Sequence, residues 1–122
     1  MIESLNINKT FGKIRVLKDI SIKLENNSSV ALLGPNASGK TTFIKSVLGM
    51  VLPESGTIKV NNTDIKNDVS YRSQIGYMPQ IGRYPENMNI GQVFEMIMDM
   101  RKEQVNHADT DLLDAFNMKS IF

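Results

Sequence analysis

The sequence contains no cysteine and only one histidine among its 122 residues. A chain without cysteine has no disulfide framework and no thiolate metal site, and no signal-peptide-like hydrophobic region is present, so we expect a reducing, cytoplasmic location. The longest apolar runs, residues 30–33 and 96–98, fall far below the roughly 20 residues that cross a bilayer. Any role at a membrane therefore requires a partner protein.

An excess of charge of one sign is also missing. The chain has 14 basic and 13 acidic residues and a formal net charge of +1. Nothing in this balance indicates a protein that coats nucleic acid or carries a polyanionic tail, and we expect no nucleic-acid partner. The length suits one ordinary domain with a modest core.

The hydrophobic pattern of the first half predicts strands followed by a helix. Apolar residues alternate with polar ones in residues 2–7 and 20–24, which predicts an antiparallel pair of half-buried strands. Residues 30–33 are uninterrupted apolar residues, as expected for a central strand covered on both faces. A helix is predicted over residues 40–48, and Gly49 is a plausible C-terminal stop.

The second half predicts short strands, a tight turn and a longer helix. Residues 57–60 alternate like a strand, and Asn61-Asn62 can adopt the positive φ of a tight turn. Residues 75–78 predict another short strand, which Pro79 ends. Apolar residues then recur with a 3.6-residue period from Ile90 to Met100.

Two helix starts are predicted in this half. Asn89 is a candidate N-cap, with Gln92 three residues later to complete a capping box. A second short helix is expected to begin near Asp109 or Thr110.

The most specific motif lies between the apolar run and the first helix. It fits G-x-x-x-x-G-K-[ST] with Gly34, Pro35, Asn36, Ala37, Ser38, Gly39, Lys40 and Thr41. Glycines allow successive backbone N–H groups to turn inward around phosphate oxygens, and a helix N-terminus adds its positive dipole end. Lys40 can reach β and γ oxygens, the Thr41 hydroxyl can ligate Mg²⁺, and Thr42 can bond an inner phosphate.

One position of this motif departs from the ideal. Ala37 carries a Cβ where glycine would take a positive φ at little cost. We expect a slightly altered loop geometry without loss of binding.

An ordered set of segments resembles the ATP-binding cassette (ABC) ATPases. The segments are "KTFGKIRVLKDIS", "LLGPNASGKTT", "GMVLPESGTIKV" and "IGYMPQ". The resemblance covers essentially all of the chain but only the N-terminal half of such a nucleotide-binding domain. It implies an α/β fold of the P-loop NTPase, ABC type, that is incomplete. The expected parts are an antiparallel β subdomain, a partial parallel core and the start of a helical subdomain.

The resemblance also implies roles for individual residues. Phe11 would stack on adenine in the place where the family commonly has tyrosine, with Val16 as an apolar neighbour. Gln80 would contact Mg²⁺ or the attacking water and sense the attached membrane domain. Residues 1–80 would form the β subdomain and phosphate-loop core, and residues 81–122 the start of the helical subdomain, with Tyr84 and Pro85 exposed near the transmembrane partners.

Several parts of the family pattern are missing from the sequence. There is no "LSGGQ"-like signature, no second acidic strand and no late switch histidine. Residues 96–99, "MIMD", fit the helical period better than an acidic strand, residues 111–114 fit a helix face, and His107 fits a loop. We therefore expect this chain to bind Mg-ATP without efficient hydrolysis, while Lys40 and Gln80 would be catalytic in the full-length parent.

The resemblance leads to a functional hypothesis. The chain would belong to the ATP-binding subunit of an ABC transporter that couples ATP binding and hydrolysis to transport through separate permease subunits. A second nucleotide-binding domain, in a homodimer or heterodimer, would complete the site at the inner face of the membrane. "GRYPENM" with "LGMVLPESG" resembles exporter-type ATPases. The alternatives are a soluble cassette protein of DNA repair or the ribosome, and a nucleotide-binding module without catalysis.

Overall fold

The computed structural model describes residues 1–101 and Ala115. The chain forms two compact units, Met1–Gly76 and Tyr77–Phe122. The first unit contains a four-stranded sheet, one helix and a short 3₁₀ turn, and the second contains one described helix. These elements are β1 (Ile2–Phe11), β2 (Ile14–Leu24), α1 (Lys40–Val47), β3 (Ser55–Val60), β4 (Thr63–Asp64), the 3₁₀ turn (Ser70–Gln74) and α2 (Ile90–Arg101).

The sheet is antiparallel throughout, with strand order β2-β1-β3-β4. β1 and β2 form a hairpin in which Phe11 lies opposite Ile14, and Gly12 at the turn has a φ of 59°. β3 and β4 are joined by Asn61 and Asn62, whose φ values are 47° and 67°. The predicted antiparallel pair and the predicted positive-φ turn are therefore confirmed.

Bulges in the hairpin keep its apolar side chains on one face. Asn6 and Asp19 both have positive φ, and the β1–β2 register shifts on either side of Ile7. Because each strand gains a residue, apolar positions that break strict alternation still face the core. Gly56 packs closely against this bulge, since a Cβ there would lie 2.4 Å from the Asn6 carbonyl oxygen.

The core lies between one face of the sheet and α1. Ile7 and Ile58 from the sheet are almost fully buried, and Phe43 and Val47 from the helix pack against them. Its buried members are Ile7, Leu17, Phe43, Val47, Ile58, Val60, Ile65 and Tyr71. The helix ends as the sequence predicts, because Gly49 follows the cap residue with a φ of 67°.

A side-chain network covers the other face of the hairpin. The Asn8 amide nitrogen donates to the Asp19 carboxylate at 3.0 Å and to the Ser55 hydroxyl at 3.1 Å. The Asn8 amide oxygen accepts from Arg15 at 2.5 Å and from the Asp19 backbone amide at 3.0 Å. One side chain thus joins β1 to both of its neighbouring strands.

The 3₁₀ turn begins at an exposed carboxylate. Asp68 accepts hydrogen bonds from the Ser70 hydroxyl at 2.5 Å and from the Ser70 backbone amide at 2.7 Å. These bonds, the hydroxyl bond first, hold the pKa of Asp68 below its ordinary value. The turn delivers the ring of Tyr71 to the core, where it is 2% exposed.

Two predicted strands do not form, so these predictions were wrong. Residues 30–33 and 75–78 are irregular, with Leu33 89% exposed and Met78 90% exposed. A strand buried on both faces needs a neighbour on each side for its backbone groups. Among residues 1–101, every strand belongs to the antiparallel sheet and none pairs with either segment. The expected partial parallel core is absent from this part of the chain.

In the second unit, α2 begins with the predicted capping box. The Asn89 amide donates to the Gln92 side-chain oxygen and the Gln92 amide to the Asn89 side-chain oxygen, both at 2.9 Å. The second short helix predicted near Asp109 or Thr110 lies outside the described residues. No helix among the described residues is long and apolar enough to span a membrane.

Candidate nucleotide-binding site

The phosphate loop, residues 34–39, leads directly into α1. Gly39 is the N-cap with a φ of 93°, and its carbonyl accepts the first helical bond from the Phe43 amide at 2.8 Å. No side chain caps this helix end. A helix leaves the amides of its first turn without intrahelical partners, so these donors face the loop. The sequence predicted a strand before this loop and a helix after it; the helix forms and the strand does not.

Ala37 adopts the left-handed conformation in spite of its side chain, with a φ of 61°. For a residue with a Cβ this conformation costs about 1 kcal/mol or slightly more. The loop therefore takes the bend that glycine would take, and the methyl group points outward from an exposed position.

The Lys40 ammonium lies across the loop. Its Nζ donates to the Gly34 carbonyl at 2.7 Å and to the Pro35 carbonyl at 2.6 Å, with the Ser38 hydroxyl at 3.4 Å. The Ser38 amide closes a turn within the loop by donating to the Pro35 carbonyl at 3.3 Å. The positive charge is thus held by oxygen atoms at the point where the loop backbone curves around it.

The other polar residues of the motif are accessible. Asn36, Ser38 and Thr41 are exposed, and Thr42 is half-buried. The Thr42 carbonyl accepts from the Ser46 hydroxyl at 2.8 Å. Thr41, in the first turn of α1, is therefore accessible to an incoming oxyanion or a hydrated cation.

The loop packs against the hairpin at β2. A Cβ on Gly39 would lie 2.7 Å from the Val16 carbonyl oxygen and 3.1 Å from a Leu17 methyl carbon. Only glycine fits so close to another backbone while holding a positive φ. The predicted neighbour Val16 is thus brought against the phosphate loop.

Phe11 is the last residue of β1 and is 49% exposed. The Lys9 ammonium lies 5.3 Å from the centre of this ring. Sequence reasoning missed Lys9, although its position two residues before Phe11 on the same strand gave the signal, since alternate residues share a face. The site thus presents an aromatic ring that is partly covered by a cation.

Gln80 is exposed and belongs to the second unit. Tyr84 is also exposed there, and its ring lies over Gly82. The contribution of Gln80 to the phosphate-loop site stays a prediction, as does the boundary between residues 80 and 81.

A family model described as ABC transporter matches residues 17–120. The chain belongs to the ABC transporter family. Members with this domain are ATP-binding ATPases, so the resemblance based on the sequence motifs is confirmed. The described part has the fold of an ABC ATPase domain in part, as a four-stranded antiparallel sheet with two helices.

Two curated relatives resemble the chain over about half of its length. The sulfate/thiosulfate import ATP-binding protein CysA of Escherichia coli K12 is 45% identical over 64 residues, which is 52% of this chain. The spermidine/putrescine import ATP-binding protein PotA of Fusobacterium nucleatum is 36% identical over 66 residues, which is 54% of this chain. The matched region covers 18% of the length of each relative.

Solved structures show the same fold. An ATP-binding subunit of an ABC transporter superposes with a TM-score of 0.77 at 24% identity, over 86% of this chain and 44% of the other. An ATP-binding cassette solved without nucleotide reaches a TM-score of 0.52 at 33% identity, over 55% of this chain and 26% of the other. Both likenesses cover about half or less of the compared chain.

Proposed function

We propose that the phosphate loop binds the triphosphate of ATP and that the chain contributes this site to a transport ATPase. The position of the Lys40 ammonium is the observation that carries the proposal. It is held by the Gly34 and Pro35 carbonyls at 2.7 and 2.6 Å, within the loop that precedes α1. Phosphate oxygens are stronger acceptors than carbonyls for such a cation, so they can take over its hydrogen bonds.

The residues fit a triphosphate in charge and in shape. The loop amides of Gly34, Asn36, Ala37, Ser38 and Gly39 would surround the β-phosphate, because the positive φ of Ala37 and Gly39 turns the backbone around the ammonium. Lys40 would bridge the β and γ oxygens. Thr42 would bond an inner phosphate from the first turn of the helix.

Mg²⁺ would bind together with the phosphates of the nucleotide. Within the described residues no group of three or more acidic, histidine or cysteine side chains could hold a metal. Mg²⁺ commonly keeps several waters and takes few protein ligands beside phosphate oxygens. The exposed Thr41 hydroxyl would be its protein ligand, and Gln80 remains the further ligand that the family resemblance implies. When bound, the ion would neutralise charge shared between the phosphates.

The adenine would lie on Phe11, with Val16 beside it. The exposure of Phe11 and the contact between Val16 and Gly39 support this placement. An aromatic face stacks on any purine, which is why phenylalanine can replace the tyrosine common in the family.

Transport is the biological role that the relatives favour. The names of both curated relatives describe import, and we extend to this chain only the general role of coupling ATP to permease subunits. A second nucleotide-binding domain would complete each site at the inner face of the membrane. The exposed Tyr84 and Pro85 would lie near the permease. The exporter-type expectation gains no support from these relatives.

The proposal is tested by calorimetric titration with Mg-ATP, followed by phosphate release on the same sample. Lys40→Ala should weaken binding about tenfold to a hundredfold, since hydrogen bonds to charged groups contribute about 1.5–3 kcal/mol. Lys45→Ala is the matched control, because Lys45 is an exposed lysine of the same helix. Equal affinity for wild type and Lys40→Ala would contradict the phosphate-site assignment.

Phosphate release decides between the catalytic and non-catalytic alternatives. We expect binding without efficient turnover in this chain, because the sequence offers no acid that ends a second apolar strand. Turnover at rates typical of an ATPase would show that another group positions the attacking water.

A further inference from the structure

Lys9 lies on β1, outside the phosphate loop. Lys9 lies opposite Leu17 in the hairpin, and Leu17 is buried in the core. Residues directly opposite each other in an antiparallel pair share a face of the sheet. Lys9 therefore lies on the face that α1 and the phosphate loop cover, although its own side chain is only half-buried.

The environment of the Lys9 ammonium distinguishes it from an ordinary surface lysine. Its nitrogen lies 5.3 Å from the centre of the Phe11 ring, within the distance at which a cation is attracted to an aromatic face. No ion pair of Lys9 occurs in the part of the chain that the structure describes, where the two ion pairs are Arg15 with Asp19 and Lys23 with Glu25. The aromatic ring is thus the partner of this charge.

The position of the ring relative to the phosphate loop follows from the same strand pairing. Gly39 contacts β2 at Val16 and Leu17, and Lys9 is the residue across from Leu17. Lys9 and Phe11 therefore form a row on β1, close to the place where the phosphate loop contacts the hairpin. In the proposed binding mode, the base of a nucleotide whose phosphates bind at Lys40 would lie on Phe11 in this row.

We propose that Lys9 is a positioning residue for base recognition, which occupies one face of the Phe11 ring and leaves the opposite face to the adenine. This inference rests on the proposed function, because it requires a nucleotide in the phosphate loop. A ring held from one side by a cation keeps one orientation, and a preoriented ring binds a base with less loss of side-chain freedom.

The test compares two ligands, Mg-ATP and inorganic tripolyphosphate with Mg²⁺, by calorimetry on the whole chain. Tripolyphosphate reports on the phosphate loop alone, whereas ATP also reports on the base. Lys9→Met keeps the length and apolar stem of the side chain and removes the charge. It should weaken ATP binding about two- to fivefold, the effect of an exposed cation–π contact, and leave tripolyphosphate binding unchanged.

Three further variants make the result specific. Lys9→Arg should bind ATP like wild type, because it restores a cation over the ring. Lys13→Met removes an equal charge from the turn of the same hairpin and should change neither affinity. In a Phe11→Ala background, Lys9→Met should have no additional effect on ATP.

The outcomes separate the inference from the proposed function. Lys9→Met with unchanged ATP affinity would overturn the inference, and so would equal weakening of both ligands or an equal effect of Lys13→Met. Phe11→Ala with full ATP affinity would refute both the base platform and the role of Lys9, while the phosphate site stands. Wild-type protein that binds neither ligand would overturn the proposed function and the inference together.

Discussion

β3 (Ser55–Val60), in which Ile58 and Val60 alternate with polar residues, and the uninterrupted apolar residues 30–33 both carry a strand signal in the sequence, yet only β3 forms a strand. β3 pairs with β1 on one side and β4 on the other, and buries Ile58 and Val60 to 1% and 3% exposure. Residues 30–33 pair with no strand in the described part of the chain and leave Val30 60% and Leu33 89% exposed. Apolar residues make a segment able to form a strand, but the strand forms only when neighbouring strands supply hydrogen-bond partners for its backbone.

The comparison is tested most strongly by truncating one side chain in each region. Ile58→Ala should lower the free energy of unfolding by about 2–5 kcal/mol, because it opens a cavity in the core. Leu33→Ala should change it by less than about 0.5 kcal/mol, as expected for an exposed position. Urea unfolding followed by circular dichroism measures both. Similar losses for the two variants would mean that residues 30–33 are buried in solution.

The exposed segments also predict association between copies of the chain. Val30, Leu33 and Met78 present exposed apolar side chains, and exposed apolar surface favours self-association. Replacing Leu33 and Met78 together with lysine should weaken association about tenfold or more, since each buried apolar side chain contributes about 1.5–3 kcal/mol. Light scattering over a concentration series measures the effect. A wild-type chain that stays monomeric at high concentration would contradict this prediction.

The smallest expected effect concerns the 3₁₀ turn near the end of the first unit. The pKa of Asp68 is lowered from its ordinary value of 3.8, first by the Ser70 hydroxyl and then by the Ser70 amide. A lowered pKa stabilises the fold above the ordinary value, and this stabilisation is lost as the pH falls through the folded-state pKa. Asp68 is fully exposed, so the change should be slight.

Asp68→Asn measures this contribution without changing the shape of the side chain. The difference in unfolding free energy between wild type and variant should be present at pH 6 and should shrink below pH 3.8. Lys66→Gln, a charge removal two residues away that leaves the bonds from Ser70 to Asp68 in place, is the control. A difference that is the same at pH 3 and pH 6 would show that Asp68 acts through something other than its charge.

The parts of the fold that could be predicted are those whose signals are local. The hairpin, the Asn61-Asn62 turn, the α1 stop at Gly49 and the capping box of Asn89 and Gln92 depend on residues close in sequence. Residues 30–33 were placed wrongly, because an apolar run does not specify the neighbouring strands that a strand buried on both faces needs. The bulges at Asn6 and Asp19 were missed because the alternation of apolar residues shifts by only one position.

The candidate site follows the same division. The motif from Gly34 to Thr41 predicted a loop that leads into a helix with Lys40 at its start, since the chemistry of phosphate binding restricts those residue types. Lys9 was missed because its importance arises from a contact with Phe11 that no motif encodes. Val16 was named only through the family resemblance, as an apolar neighbour of Phe11, and this role stays a prediction; the structure adds that Gly39 closely approaches the Val16 carbonyl.

The hydrogen bonds from the Lys40 ammonium to the loop carbonyls affect both the association rate and the enthalpy of ligand binding. A ligand oxygen that reaches this nitrogen exchanges places with a carbonyl oxygen, so the heat released is the difference between two sets of hydrogen bonds. Since the hydrogen bonds of the Lys40 ammonium already hold the loop backbone in its curved conformation, ligand binding requires no prior folding of the loop. We therefore expect association whose rate depends more on ionic strength than on temperature.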